Sequence, residues 1–252
     1  RVEKSRPMTI VLLAIYWLLL AIPGYVVVRR LFPDEQEAGA IAVTGLSIIT
    51  GWMLLLPFTI LAYLTGWSVG LHSSFIVLLA IGGGVYGWKA GLLPRPKDLI
   101  PRSGFVPGLA VVFVAVSTAI SGAFIHGDAR VHLARIRSFL DEGISNIDPL
   151  VGGDAFWPIY HTNFFHTFMA SASSVTGQDH LDVWRASLPL AIILIAGGMS
   201  YLGHALTGSR LAGHAAAIGM LVLHGTVDFL IYPNKLVPFA LWPFAIGFVV
   251  RV

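Results

Sequence analysis

The chain has 252 residues, of which 56% are hydrophobic and 12% are charged, with a formal net charge of +3 and no cysteine. A soluble domain carries about 25% charged residues, so this composition excludes an ordinary soluble protein. The lack of cysteine excludes a disulfide framework, a thiolate metal site and a thiol nucleophile. No basic patch with interleaved aromatic residues lies outside the apolar segments, so nucleic acid is not an expected partner.

Long apolar runs divide the chain from its beginning to its end. A membrane-spanning helix needs roughly 20 mostly apolar residues, and the charge-free stretch 38–88 is long enough for two. Because backbone groups in lipid must be satisfied internally, we predict an all-α polytopic transmembrane helix bundle of seven or eight spans. The predicted spans are Met8–Val28, Ala38–Leu64, Ser68–Tyr86, Phe105–Ile125, Trp157–Val175, Ala186–Leu206, Ala212–Leu230 and Leu236–Val250.

Basic residues set the predicted orientation of these spans. The loop 89–104 is rich in lysine and arginine, and such loops lie on the cytoplasmic side. The same orientation places Arg185 inside, and it places Arg210 and the segment 126–156 outside. We therefore expect a multi-pass integral membrane protein.

These predictions divide the chain into three parts. Residues 1–125 are N-terminal transmembrane helices, 126–156 form an outer loop of catalytic type bearing short amphipathic helices, and 157–252 are further transmembrane helices. Because the chain begins at Arg1 and ends within an apolar run, we expect it to be the N-terminal part of a longer protein, truncated at its C-terminus.

The segment His126–Arg137, HGDARVHLARIR, carries the clearest functional signal. It follows an apolar run long enough to cross a bilayer, and charged residues at the mouth of a membrane helix mark a site by default. Asp128, His132 and Arg135 recur at i, i+4 and i+7, so they form one stripe of a helix predicted over 128–140. The apolar face of that helix would allow it to lie in the membrane interface.

Two interpretations of this helix remain open from the residues alone. As an active site, its carboxylate could act as a general base or a metal ligand, while Arg130, Arg135 and Arg137 could hold a phosphate bidentately. As a solvated juxtamembrane helix, it would carry only weak pairs such as Asp128 with His132. The acids gathered in this one loop favour the active site.

Histidines also occur in the predicted spans. His161 and His166 are five residues apart, about 140° on a helix, so interior packing suits them better than a shared metal. His204, His214 and His224 lie in or at the ends of apolar runs. Hydrogen bonds to neighbouring helices explain such residues well. Trp184 is expected to be an interfacial anchor or a packing residue.

A series of short motifs runs through roughly 126–219. A span ending in Asp128 leads to an amphipathic helix with His132 and a terminal Gly143. Asp148-Pro149, the membrane helix WPIYHTNFFHTF and the opening DHLDVWRASLPLA follow. Together these motifs resemble the C-type (GT-C) glycosyltransferase superfamily. Four predicted spans precede the loop, where many relatives have one, and an alanine replaces the second acid of the usual pair.

The resemblance implies a membrane enzyme that transfers a sugar from a polyprenyl-phosphate donor to an acceptor on the outer face. Asp128, an acid directly after a membrane helix, matches the catalytic position, and His132 would assist it. Asp154 or Asp148 matches a second loop acid. A divalent cation, Mg²⁺ or Mn²⁺, would be held by Asp128 and Asp154. The substrate-binding residues would be Arg130, Arg135, Asp154, His161 and His166.

Two other functions remain as alternatives. A transporter or lipid flippase would use His204, His214 and His224 as an interior path. A non-catalytic membrane assembly subunit would use the outer loop to bind a partner protein. Ionisable residues gather in one outer loop rather than at mid-membrane depth, which favours the enzyme, with the lipid-linked donor and membrane lipid as its partners.

Overall fold

The computed structural model describes residues 6–93, 105–121, 129–148, 153–155, 164–223 and 233–251. Within these ranges the chain is helical, apart from a small antiparallel pair formed by β1 (Ile147–Asp148) and β2 (Gly153–Ala155). The helices are α1 (Arg6–Leu31), a 3-10 helix (Pro33–Ala38), α2 (Ala40–Thr65), α3 (Val69–Lys89), α4 (Phe105–Ser121), α5 (Ala129–Glu142), α6 (Phe164–Thr176), α7 (His180–Ala186), α8 (Leu188–Thr207), α9 (Arg210–Leu223) and α10 (Pro233–Arg251).

Four helical segments are long and apolar enough to cross a membrane: Met8–Leu31, Ala40–Thr65, Val69–Lys89 and His180–Thr207, the last made of α7 and α8 together. They mark the chain as a membrane protein and confirm the predicted all-α class. Helices occupy all eight predicted positions. Those outside the four long segments are shorter, so the total of seven or eight spans remains a prediction.

Close contacts between small residues hold the central helices together. A Cβ atom on Gly24 of α1 would overlap the backbone carbonyl of Ser47 in α2. A Cβ on Gly45 would lie 3.0 Å from the Cα of Gly197 in α8. Small residues let helix backbones approach closely where lipid supplies no hydrophobic drive for association. The sequence thus places α2 between α1 and α8.

The helix connections define two ends of the bundle. At the first, here called the α5 end, the backbone N–H of Ile144, just after α5, donates to the carbonyl of Trp67 in the α2–α3 turn at 2.8 Å. At the other, here called the opposite end, the 3-10 helix joins α1 to α2. Arg210 donates there to the carbonyl of Glu37, and the rings of Phe32 and Phe248 meet edge to face at 5.6 Å.

Helix α6 does not cross the bundle, so the predicted span Trp157–Val175 is wrong. The chain is at the α5 end before α6, and it is there again directly after α6, where the Thr9 hydroxyl of α1 donates to the Gln178 side chain at 2.7 Å. The 13 residues of α6 reach about 20 Å, which is less than the roughly 30 Å of a hydrocarbon core. Helix α6 therefore starts near α5, where His166 meets His132, and is followed by Gln178 at the same end of the bundle.

This return reverses the side assigned to every later segment. Helix α8 starts beside α7 at the α5 end and finishes at the opposite end, where Arg210 follows it. Arg185 in α7 thus shares the end that holds α5, and Arg210 shares the end that holds Arg30. Both placements are the reverse of the sequence prediction, because that prediction counted α6 as a crossing.

Cysteine labelling tests the return of α6 directly, because the chain contains no cysteine of its own. Glu142→Cys, Asp179→Cys and Thr207→Cys each alter an exposed residue. In sealed vesicles, we expect an impermeant maleimide to label positions 142 and 179 from one side and position 207 from the other. Asp179 caps α7, so its replacement is expected to lower the unfolding free energy by about 1 kcal/mol.

A crossing α6 would give a different pattern. Positions 142 and 179 would then react from opposite sides of the membrane. That result would overturn the arrangement described above.

Candidate functional site

Helix α5 buries its polar stripe as well as its apolar face. His132 is 3% exposed and Arg135 is fully buried, alongside Leu133, Ile136 and Phe139. The helix packs against α6 and α7. The sequence predicted that only the apolar face of α5 would be buried, in the membrane interface. This prediction is wrong, because His132 and Arg135 of the polar stripe are buried against protein. The stripe faces protein because α6 packs against it.

The exposed side of α5 carries ordinary surface pairs. Arg137 donates from Nε to Asp141 at 2.6 Å, and both side chains are about half exposed. Gly143 ends the helix at a φ of 96°, a backbone conformation that favours glycine. Its N–H donates to the Phe139 carbonyl at 3.1 Å. This ending turns the chain toward Trp67 and fixes the position of α5.

Two imidazoles meet at the centre of the site. Nδ1 of His132 lies 2.6 Å from Nε2 of His166 in α6, and both rings are almost fully buried. A hydrogen bond between two ring nitrogens needs one donor and one acceptor, so at least one of the two imidazoles is neutral. The pair can therefore hold one proton between its rings.

An aromatic wall fixes the imidazole pair in place. The ring of Trp184 in α7 stacks on His132 with centroids 6.0 Å apart and planes 16° apart. Phe165 meets Trp184 edge to face at 5.7 Å. Trp184 is fully buried, so of its two predicted roles the structure selects packing. Its indole N–H has no hydrogen-bond acceptor among the described residues.

Arg135 brings a positive charge into this buried cluster. Its Nη2 donates to the Ser145 carbonyl at 3.4 Å, and its guanidinium carbon lies 5.3 Å from the centre of the Phe139 ring. Withdrawing a guanidinium from water is expensive unless its donors are matched. The Ser145 hydroxyl is buried nearby, without a partner among the described residues. The guanidinium and this hydroxyl are hydrogen-bond donors of the kind that suits an anionic ligand.

A second polar layer lies behind the cluster. The Thr167 hydroxyl donates to the Tyr63 hydroxyl at 3.2 Å. His72 of α3 lies 2.9 Å from the hydroxyl of Thr59 on one side and 2.9 Å from that of Ser171 on the other. These contacts connect α2, α3 and α6, and they satisfy the polar residues that α6 brings into the bundle.

The structure separates the residues predicted to form the site. It brings His132, His166 and Arg135 together, whereas Arg130 and Arg137 are exposed. Asp128 and His161 lie outside the described residues, as do the side chains of Asp154 and Asp148. Their predicted roles in catalysis, substrate binding and metal binding therefore remain predictions.

Sequence reasoning missed the partners that complete the cluster. It weighed His166 with His161 rather than with His132, it assigned Trp184 no part in the site, and it did not consider His72. A histidine in an otherwise apolar run was a usable signal for His72. No comparable signal in the sequence pairs residues 132 and 166.

No three metal-ligating side chains cluster within the described part of the chain. The buried guanidinium of Arg135 also repels a cation from the two imidazoles.

Comparisons with models of protein families, with curated protein sequences and with solved structures give no match to this chain.

A double-mutant cycle tests the histidine pair. Removing one ring leaves a buried polar nitrogen without its partner, so His132→Ala and His166→Ala should each destabilise the protein. We expect a coupling energy of about 1–3 kcal/mol in unfolding measured in detergent. The exposed pair Arg137→Ala and Asp141→Ala is the control, with an expected coupling of about 0.5 kcal/mol. Equal coupling in the two cycles would contradict the buried hydrogen bond.

Proposed function

We propose that the protein is a membrane glycosyltransferase that moves a sugar from a polyprenyl-phosphate donor to an acceptor at the outer face of a bacterial cytoplasmic membrane. The observation that carries this proposal is the cluster of His132, His166 and Arg135 buried at the α5 end. A buried cation next to a proton-sharing pair suits a phosphate leaving group and an acid–base step. With α6 as a re-entrant segment that does not cross, the proposed architecture has seven spans.

The proposed reaction is a single displacement at the anomeric carbon. The acceptor hydroxyl oxygen bonds to that carbon as the bond from the carbon to the phosphate oxygen breaks. The hydroxyl proton passes to Asp128, and polyprenyl phosphate leaves with the bonding electron pair. Arg135 stabilises the departing negative charge, and exposed Arg130 meets the substrate nearer the surface.

His132 has a positioning role in this scheme. Its Nδ1 is held by His166, so Nε2 is the nitrogen that orients Asp128 or contacts the phosphate. The stacked Trp184 fixes the ring plane. A divalent cation, if the enzyme uses one, would be held by Asp128 and Asp154 and would neutralise phosphate charge. Asp154 and His161 are further substrate-binding residues in the proposal.

The positions of the buried histidines support an enzyme over a transporter or flippase. His132 and His166 lie at the α5 end, whereas His204 and His214 lie close to the opposite end. A proton or substrate path needs ionisable groups near mid-membrane depth. The described members of the predicted path, His204 and His214, do not extend from the opposite end toward the α5 end.

Sugar transfer in liposomes tests the proposal. The purified protein is given a panel of polyprenyl-phosphate sugars and acceptors, beside Asp128→Asn, His132→Gln and Arg137→Gln. We expect turnover in the wild type, a loss on the order of a hundredfold or more in Asp128→Asn, and a smaller loss in His132→Gln. The exposed Arg137→Gln should retain near-normal activity, since its partner is only Asp141.

Three results would overturn the proposal. Undiminished turnover in Asp128→Asn would remove the assigned base. A folded wild-type protein that is inactive with every donor, but moves lipid across the bilayer and loses that activity in His204→Gln, would establish the transporter. Unchanged turnover with loss of a partner complex in loop variants would instead favour the assembly subunit.

A further inference from the structure

A lipid-facing groove lies between α1, α2 and α3, far from the cluster around His132. It encloses about 370 Å³, within the range of small-molecule sites. Pro23 and Val26 of α1, Leu54 of α2 and Leu79 of α3 provide apolar walls, and Arg30 closes the groove toward the opposite end. The groove thus extends from the middle of the bundle to one membrane face.

Two adjacent glycines of α3 create this space. A Cβ on Gly83 would lie 2.8 Å from the Cα of Pro23, so α1 and α3 are in backbone contact at that level. A Cβ on Gly82 would meet nothing within 4 Å. The contact at Gly83 fixes the helix separation, and the missing side chain at Gly82 leaves room for an apolar chain beside it.

The charge at the mouth of the groove is positive. Arg30 is the one charged residue among those that line it. The Arg30 side chain is exposed and forms no hydrogen bond or ion pair within the described part of the chain. Tyr86, also in the lining and half exposed, offers a hydroxyl at the same level. Arginine and tyrosine at a helix end are suited to the headgroup region of a bilayer.

We propose that this groove is a binding site for an anionic glycerophospholipid. One acyl chain lies along the apolar walls beside Gly82, and the lipid phosphate is bound by the Arg30 guanidinium with the Tyr86 hydroxyl. Charge complementarity selects this occupant, because a neutral phospholipid offers the same chain but no net negative charge to Arg30. The site is independent of the glycosyltransferase proposal, since it shares no residue with the cluster around His132.

Native mass spectrometry of the purified protein tests the headgroup. The protein in detergent is titrated with phosphatidylglycerol and with phosphatidylcholine that carry the same acyl chains. We expect one tightly held phosphatidylglycerol, preferred over phosphatidylcholine by about fivefold or more. Arg30→Gln should abolish this preference, whereas Arg29→Gln, which removes the same charge from a residue outside the lining, should retain it.

A matched pair of glycine variants tests the acyl-chain position. Gly82→Leu fills the open space and should reduce binding of both lipids at least tenfold. Gly70→Leu is the control, because it adds the same side chain to open space on the same helix near the α5 end. Circular dichroism and size-exclusion profiles that match the wild type show that each variant is folded.

Several results would overturn the proposal. Equal binding of the two lipids by the wild type removes the headgroup selection. Equal losses of the phosphatidylglycerol preference in Arg29→Gln and Arg30→Gln would assign that preference to the general positive charge of this end. A protein dimer that Gly82→Leu dissociates assigns the groove to a second copy of the chain. Tighter binding of a polyprenyl phosphate than of phosphatidylglycerol assigns it to a different lipid.

Discussion

The hydrogen bond between His132 and His166 is the interaction on which the α5 end depends. Each ring belongs to a different segment, and without the other ring it would lose a hydrogen-bond partner in a buried position. His166 belongs to α6, so α6 has to pack beneath α5. His132 has to reach His166, so the polar stripe of α5 faces inward rather than toward water or lipid headgroups.

The same requirement explains the polar layer behind the pair. A helix of 13 residues inside the bundle brings hydroxyls among membrane helices. Tyr63 and His72, from the long helices, form hydrogen bonds with those hydroxyls. Small residues then let the remaining helices close around this polar segment. Stability and site geometry thus have one source, which is the matching of polar groups in an apolar surrounding.

Hydropathy predicted the helices well and their directions less well. Each of the eight apolar runs contains a helix within its described residues, because only internal hydrogen bonding satisfies a backbone in lipid. The run 155–178 has the length and composition of a span, yet contacts at Thr9 and Gln178 return it to its starting end. No local pattern contains that information. Likewise, the spacing of His132 and Arg135 correctly predicted that these two residues share a face of α5, but the partner of His132, 34 residues away, depended on tertiary packing.

The return of α6 also has a consequence for hydration. The first turn of α6 lies in the buried cluster, where His166 meets His132, and the amide groups of that turn need acceptors that its own backbone does not supply. Irregular backbone at membrane depth persists only where protein surrounds it or water reaches it. The Ser145 hydroxyl and the Trp184 indole N–H are also buried at this end without a partner among the described residues, so water is expected to reach the cluster around the two imidazoles, whereas the glycine-packed contact between α2 and α8 remains dry.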